Sequence, residues 1–162
     1  MVVYKKCDIF ESGADIICHQ VNCQGVMGSG LAKQVRERYP AVYRAYKEWC
    51  EDYKTEELLG MSQFVAVKKP WEERGENDPI GIINIFGQLD YGYGKCHTDY
   101  DALKHAFQNI SFLVRMSNPS PIVAFPYKFG CARGGGDWEI VRGMIEEAFQ
   151  NCMVFICECD KG

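Results

Sequence analysis

The chain has 162 residues, a formal net charge of −4, 47% hydrophobic residues and 25% charged residues. These values fit one globular domain over 1–162, long enough to bury a core without disulfide or metal staples. They exclude a membrane span, since no run of about 18 apolar residues occurs, and they disfavour a nucleic-acid binder, which carries an excess of Lys and Arg.

Taken in chain order, short apolar or alternating runs predict strands over 2–6, 15–21, 63–67, 81–86, 122–125 and 153–157. Helices are predicted between several of them. The first, 31–38, follows a glycine-rich turn, and the second, 41–53, follows Pro40, a favourable residue at a helix start. The stretch 70–79 is polar and bracketed by prolines, an exposed connection between two strands. The helix over 99–115 sets Leu103, Ala106, Phe107, Ile110, Leu113 and Val114 on one stripe. The helix over 137–150 does the same with Val141, Met144, Ile145, Ala148 and Phe149. Strands alternating with helices imply right-handed crossovers and a largely parallel sheet covered on both faces. In such sheets a ligand sits beyond the carboxyl ends of the strands.

The nine cysteines include no C-x-x-C pair, and most of them read as small buried hydrophobes in a reducing cytosol. Met1-Val2-Val3-Tyr4-Lys5-Lys6 lacks the basic-then-apolar order of a secretion signal. A cytoplasmic, monomeric protein is expected, with no metal cluster and no cofactor.

Two segments read as strand, glycine loop, helix. After 15–21 comes Asn22-Cys23-Gln24-Gly25-Val26-Met27-Gly28-Ser29-Gly30, and after 122–125 comes a longer loop that includes Gly130-Cys131-Ala132-Arg133-Gly134-Gly135-Gly136. Glycine permits positive φ and a close backbone approach. A helix N-terminus adds free N–H groups and partial positive charge, which favour phosphate. Two such loops at one sheet edge predict a diphosphate held from both sides. Gly25 and Gly30 have the spacing of a P-loop, but Leu31 stands where that motif needs Lys, so a nucleotide triphosphatase is not expected. The dinucleotide fingerprint is absent as well. Cys131 lies in a glycine-rich loop, yet Asp137 stands where a cysteine phosphatase needs its phosphate-holding Arg.

At these residues the sequence resembles the macrodomain family. His19-x-x-Asn22-Cys23-x-Gly25-x-x-Gly28-x-Gly30-Leu31-Ala32 is similar to its first ligand loop, and Gly130-Cys131-x-x-Gly134-Gly135-x-Asp137-Trp138 to its second. The branch it resembles contains ADP-ribose 1''-phosphate phosphatases and bacterial ADP-ribosyl hydrolases. The resemblance implies a three-layer α/β/α sandwich with a mixed, largely parallel central sheet and an ADP-ribose cleft across its top. It implies that Asp8 meets the adenine amino group and that Asn22 meets the distal ribose. The ligand-binding set it implies is completed by Ile9, Gly25, Met27, Gly28, Gly30, Gly130, Cys131, Gly134, Gly135 and Gly136; Arg133 departs from the small or apolar residue of the family and is read as an added donor to the terminal phosphate. Where one branch places a catalytic Lys after the middle strand, this chain has Gly87-Gln88, with Lys95 several residues on.

Asp137, Asn22 and His19 are the candidate catalytic residues, with His97 and Lys95 as further acid/base groups. Asp137 before a helix is equally an N-cap, and His19 near a strand end is equally a structural hydrogen-bonder. Two functions follow from the same loops: hydrolysis at the distal ribose of an ADP-ribose derivative, and a module that binds ADP-ribose without turnover. The expected partner is ADP-ribose or an ADP-ribosylated substrate, with nucleic acid only as such a substrate.

Overall fold

The computed structural model describes residues 1–69, 71–92, 95–132 and 134–159. In chain order the elements are β1 (Val2–Lys6), a 3-10 turn (Ile9–Glu11), β2 (Ile16–Asn22), α1 (Gly30–Arg38), α2 (Pro40–Asp52), α3 (Thr55–Leu58), β3 (Ser62–Ala66), β4 (Gly81–Gln88), α4 (Tyr100–Met116), β5 (Val123–Pro126), α5 (Trp138–Ala148) and β6 (Val154–Glu158). All six strands and four helices predicted from the sequence are present, with ends displaced by one or two residues. The short α3 is an addition, since four residues are too few to show a hydrophobic period.

The six strands form one sheet in the order β1-β6-β5-β2-β4-β3. Every pairing is parallel except β3 with β4. Strand β4, parallel to β2 and antiparallel to the edge strand β3, is buried along its whole length, as expected for a strand covered on both faces. On one face α4 and α5 cover a core in which Phe107 is ringed by Phe125, Phe129 and Phe149, with centroid separations of 5.4 to 6.1 Å. On the other face α1 and α2 cover Ile17, Ile82, Val35 and Val42, continuing into Tyr46, Phe86 and Met27. The result is a three-layer α/β/α sandwich with a mixed, largely parallel sheet.

One row of the α2-facing surface is polar. His19, Asn84 and Gln63 lie side by side on β2, β4 and β3. His19 Nε2 lies 2.6 Å from Asn84 Oδ1, Asn84 Nδ2 donates to Gln63 Oε1 at 3.0 Å, and Gln63 Nε2 donates to the Ala45 carbonyl at 2.9 Å. All three side chains are buried.

The four-phenylalanine cluster gives a direct test of where the core is concentrated. Phe107→Ala is expected to lower the unfolding free energy by about 3–5 kcal/mol. Guanidinium denaturation of both proteins checks this, with an unchanged midpoint as the contrary result.

Candidate functional site

The parallel strands β2, β4 and β5 end side by side in Asn22, Gln88 and Pro126, and a cleft of about 340 Å³ opens beyond these ends. Its walls are the two glycine loops. Its floor includes His19, Gln20 and Gln88, and Tyr91 and Gly92 lie at its rim.

The first wall is held by a side chain from α2. The Tyr46 hydroxyl, fully buried, accepts from the N–H groups of Gly25 at 3.0 Å and Val26 at 3.1 Å, and lies 2.8 Å from both Asn22 oxygens. Asn22 Oδ1 accepts from Gln24 N at 2.9 Å, and its Nδ2 donates to the Val26 carbonyl at 2.8 Å. Asn22 therefore shapes the loop with most of its hydrogen-bonding capacity and lines the cleft, with one amide hydrogen without a partner among the described residues. Beyond it Gly28, Ser29, Gly30, Leu31 and Ala32 line the wall. Gly30 begins α1 at φ +60°. Ser29 is the N-cap but its side chain makes no capping hydrogen bond, so the first-turn N–H groups of α1 keep their donors for an occupant of the cleft. Gly25 and Met27 do not line the cleft: Gly25 packs against Lys47, and Met27 is buried against Tyr46 and Phe86.

The second wall is tied to the segment before α4. Thr98 Oγ1 donates to the Gly130 carbonyl at 2.6 Å and accepts from Gln20 Nε2 at 2.9 Å. The Gly134 carbonyl accepts from the N–H groups of His97 at 2.7 Å and Thr98 at 3.0 Å. A Cβ on Gly134 would meet Thr98 Oγ1, the Gly130 carbonyl at 2.6 Å and Gln20 Nε2 at 2.8 Å. On Gly135 it would meet the Lys95 carbonyl at 2.8 Å. These glycines are needed for protein to approach protein. Gly130 and Gly134 also line the cleft, whereas Gly135, Gly136, Lys95 and His97 do not. Arg133 lies outside the described residues.

Cys131 is half-buried beside the wall, its thiol 3.2 Å from the Phe129 carbonyl. Burial, with the Asp137 carboxylate and Cys96 adding to it, pushes its thiol up to about 11 against the opposing pull of Lys128. The thiol stays protonated at neutral pH and is no phosphatase nucleophile. Asp137 caps α5: its Oδ1 accepts from Glu139 N at 2.9 Å, and the residue is exposed outside the cleft lining. Asp8 caps the 3-10 turn by accepting from Phe10 N at 2.9 Å, with Arg38 3.8 Å from its other oxygen. Asp8 and the buried Ile9 also lie outside the lining.

His19 lies at the base of the cleft and is only 1% exposed. Its tautomer follows from the polar row. The Ala45 carbonyl can only accept, so each amide along the row is oriented, and Asn84 presents Oδ1 to His19. Nε2 therefore carries the hydrogen, and Nδ1 is a buried acceptor with no partner among the described residues. Burial lowers its pKa to about 4, with the Asn84 hydrogen bond opposing the shift.

The sequence reading of Tyr91 and Tyr127 as cleft-lining residues is met, while it missed Lys128 and Gln20 in the lining and Tyr46 behind it. No motif marks them, because the chain reaches the cleft at these positions only through the turn after β5 and the packing of α2. Lys128 is the sole non-glycine residue with positive φ among the described residues, at +59°. An L side chain there costs about 1–2 kcal/mol. Among the described lining residues there is no Asp or Glu, and Lys128 is the sole Lys or Arg.

A sheet of this order, with a glycine loop on each side of a cleft at its carboxyl edge, is the fold of the macrodomains. The chain superimposes on the macrodomain of Mycobacterium tuberculosis DarG with a TM-score of 0.77, covering 98% of this chain and 97% of that one at 24% identity. It is 29% identical over 151 residues to a DNA ADP-ribosyl glycohydrolase of Mycobacterium tuberculosis, which is 93% of this chain but 39% of that protein's length. It is 44% identical over 48 residues to an ADP-ribose 1''-phosphate phosphatase of Ajellomyces capsulatus, 28% of this chain and 18% of that one. No family model matches the chain.

Two outcomes test this geometry. Between the ordinary histidine value of 6.5 and about 4, the unfolded chain binds a proton that the folded chain does not. Stability therefore falls as pH drops through that window, by about 3 kcal/mol in full at 1.36 kcal/mol per pH unit. Denaturation between pH 7 and pH 4 is expected to show this slope in the parent and a shallower one in His19→Gln. Gly134→Ala is expected to lower stability by about 1–3 kcal/mol through overpacking. A thermal melt unchanged from the parent would contradict that packing.

Proposed function

We propose that the chain binds ADP-ribose or a derivative and hydrolyses a bond at its distal ribose, releasing either a 1''-phosphate or an ADP-ribosyl adduct. The observation that carries the reading is the start of α1, which lines the cleft without a side-chain cap opposite the second glycine loop, in a described lining that holds no carboxylate. A protein of net charge −4 cannot draw a diphosphate by its overall field, so fixed local dipoles have to hold it. The names of the relatives, one acting on ADP-ribosylated DNA and one on ADP-ribose 1''-phosphate, support the ligand class.

In this reading the diphosphate occupies the α1 end of the cleft and the free amide hydrogen of Asn22 orients the distal ribose. No carboxylate base stands in the described lining, and Asp137 is engaged as a cap, so the substrate's own phosphate oxygens activate the attacking water. His19, neutral at pH 7, offers Nδ1 as an acceptor at the floor. Nucleic acid enters only as an ADP-ribosylated substrate. A monomer in the reducing cytoplasm, suited to nine free cysteines, belongs to the same proposal. The missing carboxylate also supports a second reading, a module that holds ADP-ribose without turnover.

ADP-ribose at a hundredfold excess over its Kd is expected to stabilise the fold by about 2.7 kcal/mol, read as a rise in Tm. At Gly28 a Cβ would meet only Val26 Cγ1 at 3.6 Å, so Gly28→Val is expected to fill the cleft and abolish the calorimetric signal while leaving circular dichroism unchanged. Incubation with ADP-ribose 1''-phosphate and with ADP-ribosylated DNA or protein separates the two leaving groups. Release from neither, with binding intact, selects the non-catalytic module.

A further inference from the structure

Lys128 combines an unfavourable backbone with an unused charge. It is the third residue of the turn 126–129, closed by Phe129 N donating to the Pro126 carbonyl at 3.1 Å, and its φ is +59°. Such a turn position normally takes glycine. Glycines do occupy the other left-handed positions of the cleft lining, Gly30, Gly92 and Gly130.

Within the described residues the exposed Lys128 side chain meets no carboxylate within ion-pair distance and only approaches the Tyr127 ring. Its Nζ stands 5.6 Å from the centroid of the Tyr127 ring, itself part of the cleft wall. Strained backbone persists where the surroundings enforce it and concentrates at functional sites. A strained cation without an ion partner among the described residues, in a described lining that holds no other charged side chain, points to a function for the charge.

We propose that Lys128 is the cation that reads the ligand's diphosphate, pairing with it from the wall opposite the first turn of α1 and setting the preference for a doubly charged ligand. The proposal rests on the reading of the cleft as an ADP-ribose site. The α1 donors fix the diphosphate by direction, and the Lys128 ammonium adds a charge that salt can screen. Because the amine is exposed, its contribution weakens as the Debye length shortens.

The test is titration calorimetry with ADP-ribose at low and high NaCl, on the parent, Lys128→Gly, Lys128→Gln and Lys128→Arg, with a thermal melt of each. Lys128→Gly relieves the backbone and removes the charge together. It is expected to melt at or above the parent temperature, to bind ADP-ribose at least about fivefold more weakly at low salt, and to lose most of the parent's salt dependence. Lys128→Gln is expected to bind as weakly, and Lys128→Arg to recover most of the affinity. Parent-like affinity and salt dependence in both uncharged variants would overturn the proposal and leave the ADP-ribose reading standing. Equal losses in melting temperature and affinity in Lys128→Gly, with Lys128→Gln binding as the parent does, would overturn it too, by making the residue structural. A parent that fails to bind ADP-ribose at any salt is the separate failure of the site reading.

Discussion

The Thr98 hydroxyl is where three distant parts of the chain meet. It donates to the Gly130 carbonyl at 2.6 Å and accepts from Gln20 at 2.9 Å, while its own N–H pairs with the Gly134 carbonyl at 3.0 Å. Gln20 in turn donates to Gln88 Oε1 at 2.6 Å. The knot joins the ends of β2 and β4 to the second glycine loop. It closes only because Gly134 has no side chain, since a Cβ there would overlap three of the participating atoms. The position and shape of the second wall depend on this contact, and so does the width of the cleft.

The first wall has an equivalent in Tyr46. Its hydroxyl satisfies two loop N–H groups and approaches both oxygens of Asn22. In each wall the loop is braced from behind by one buried hydroxyl, and the start of α1, without a side-chain cap, lines the cleft. Preorganised dipoles of this kind hold an anion without a basic surface. That reconciles an anion-binding cleft with a chain of net charge −4.

The sequence made the layers legible because strand and helix periods are local. The run Gly81–Gln88 reads as a buried strand, and Leu103, Ala106, Phe107, Ile110 and Val114 read as a covered helix face, whereas Leu113, placed on the same stripe from the sequence, is 62% exposed because it falls at the edge of that face. The glycine loops were legible as loops, but their individual roles were not. Gly28 faces open space, whereas Gly134 and Gly135 face protein, and the same spacing in the chain serves either purpose. Asp137 could be read as cap or acid, and its geometry is that of a cap. Met27 and Ile9 sit within motif-like segments yet face the core. Tyr46 and Gln20 could not be found from spacing, because each acts across a contact between segments far apart in sequence.

The polar row His19-Asn84-Gln63 has a consequence for how the strands align. Apolar side chains tolerate a sliding strand, because one Ile can replace another against a helix. A chain of amides ending on a single backbone carbonyl does not. Displacing β2 or β3 by two residues against β4 would keep every side chain on its own face, so hydrophobic patterning alone would permit it. It would also strand a buried amide or imidazole without its neighbour, which is costly in a low-dielectric interior. The row thus acts as a key that admits one alignment of three strands. Since β2 and β4 carry Asn22 and Gln88 at their ends, the same key sets the depth at which the cleft floor lies.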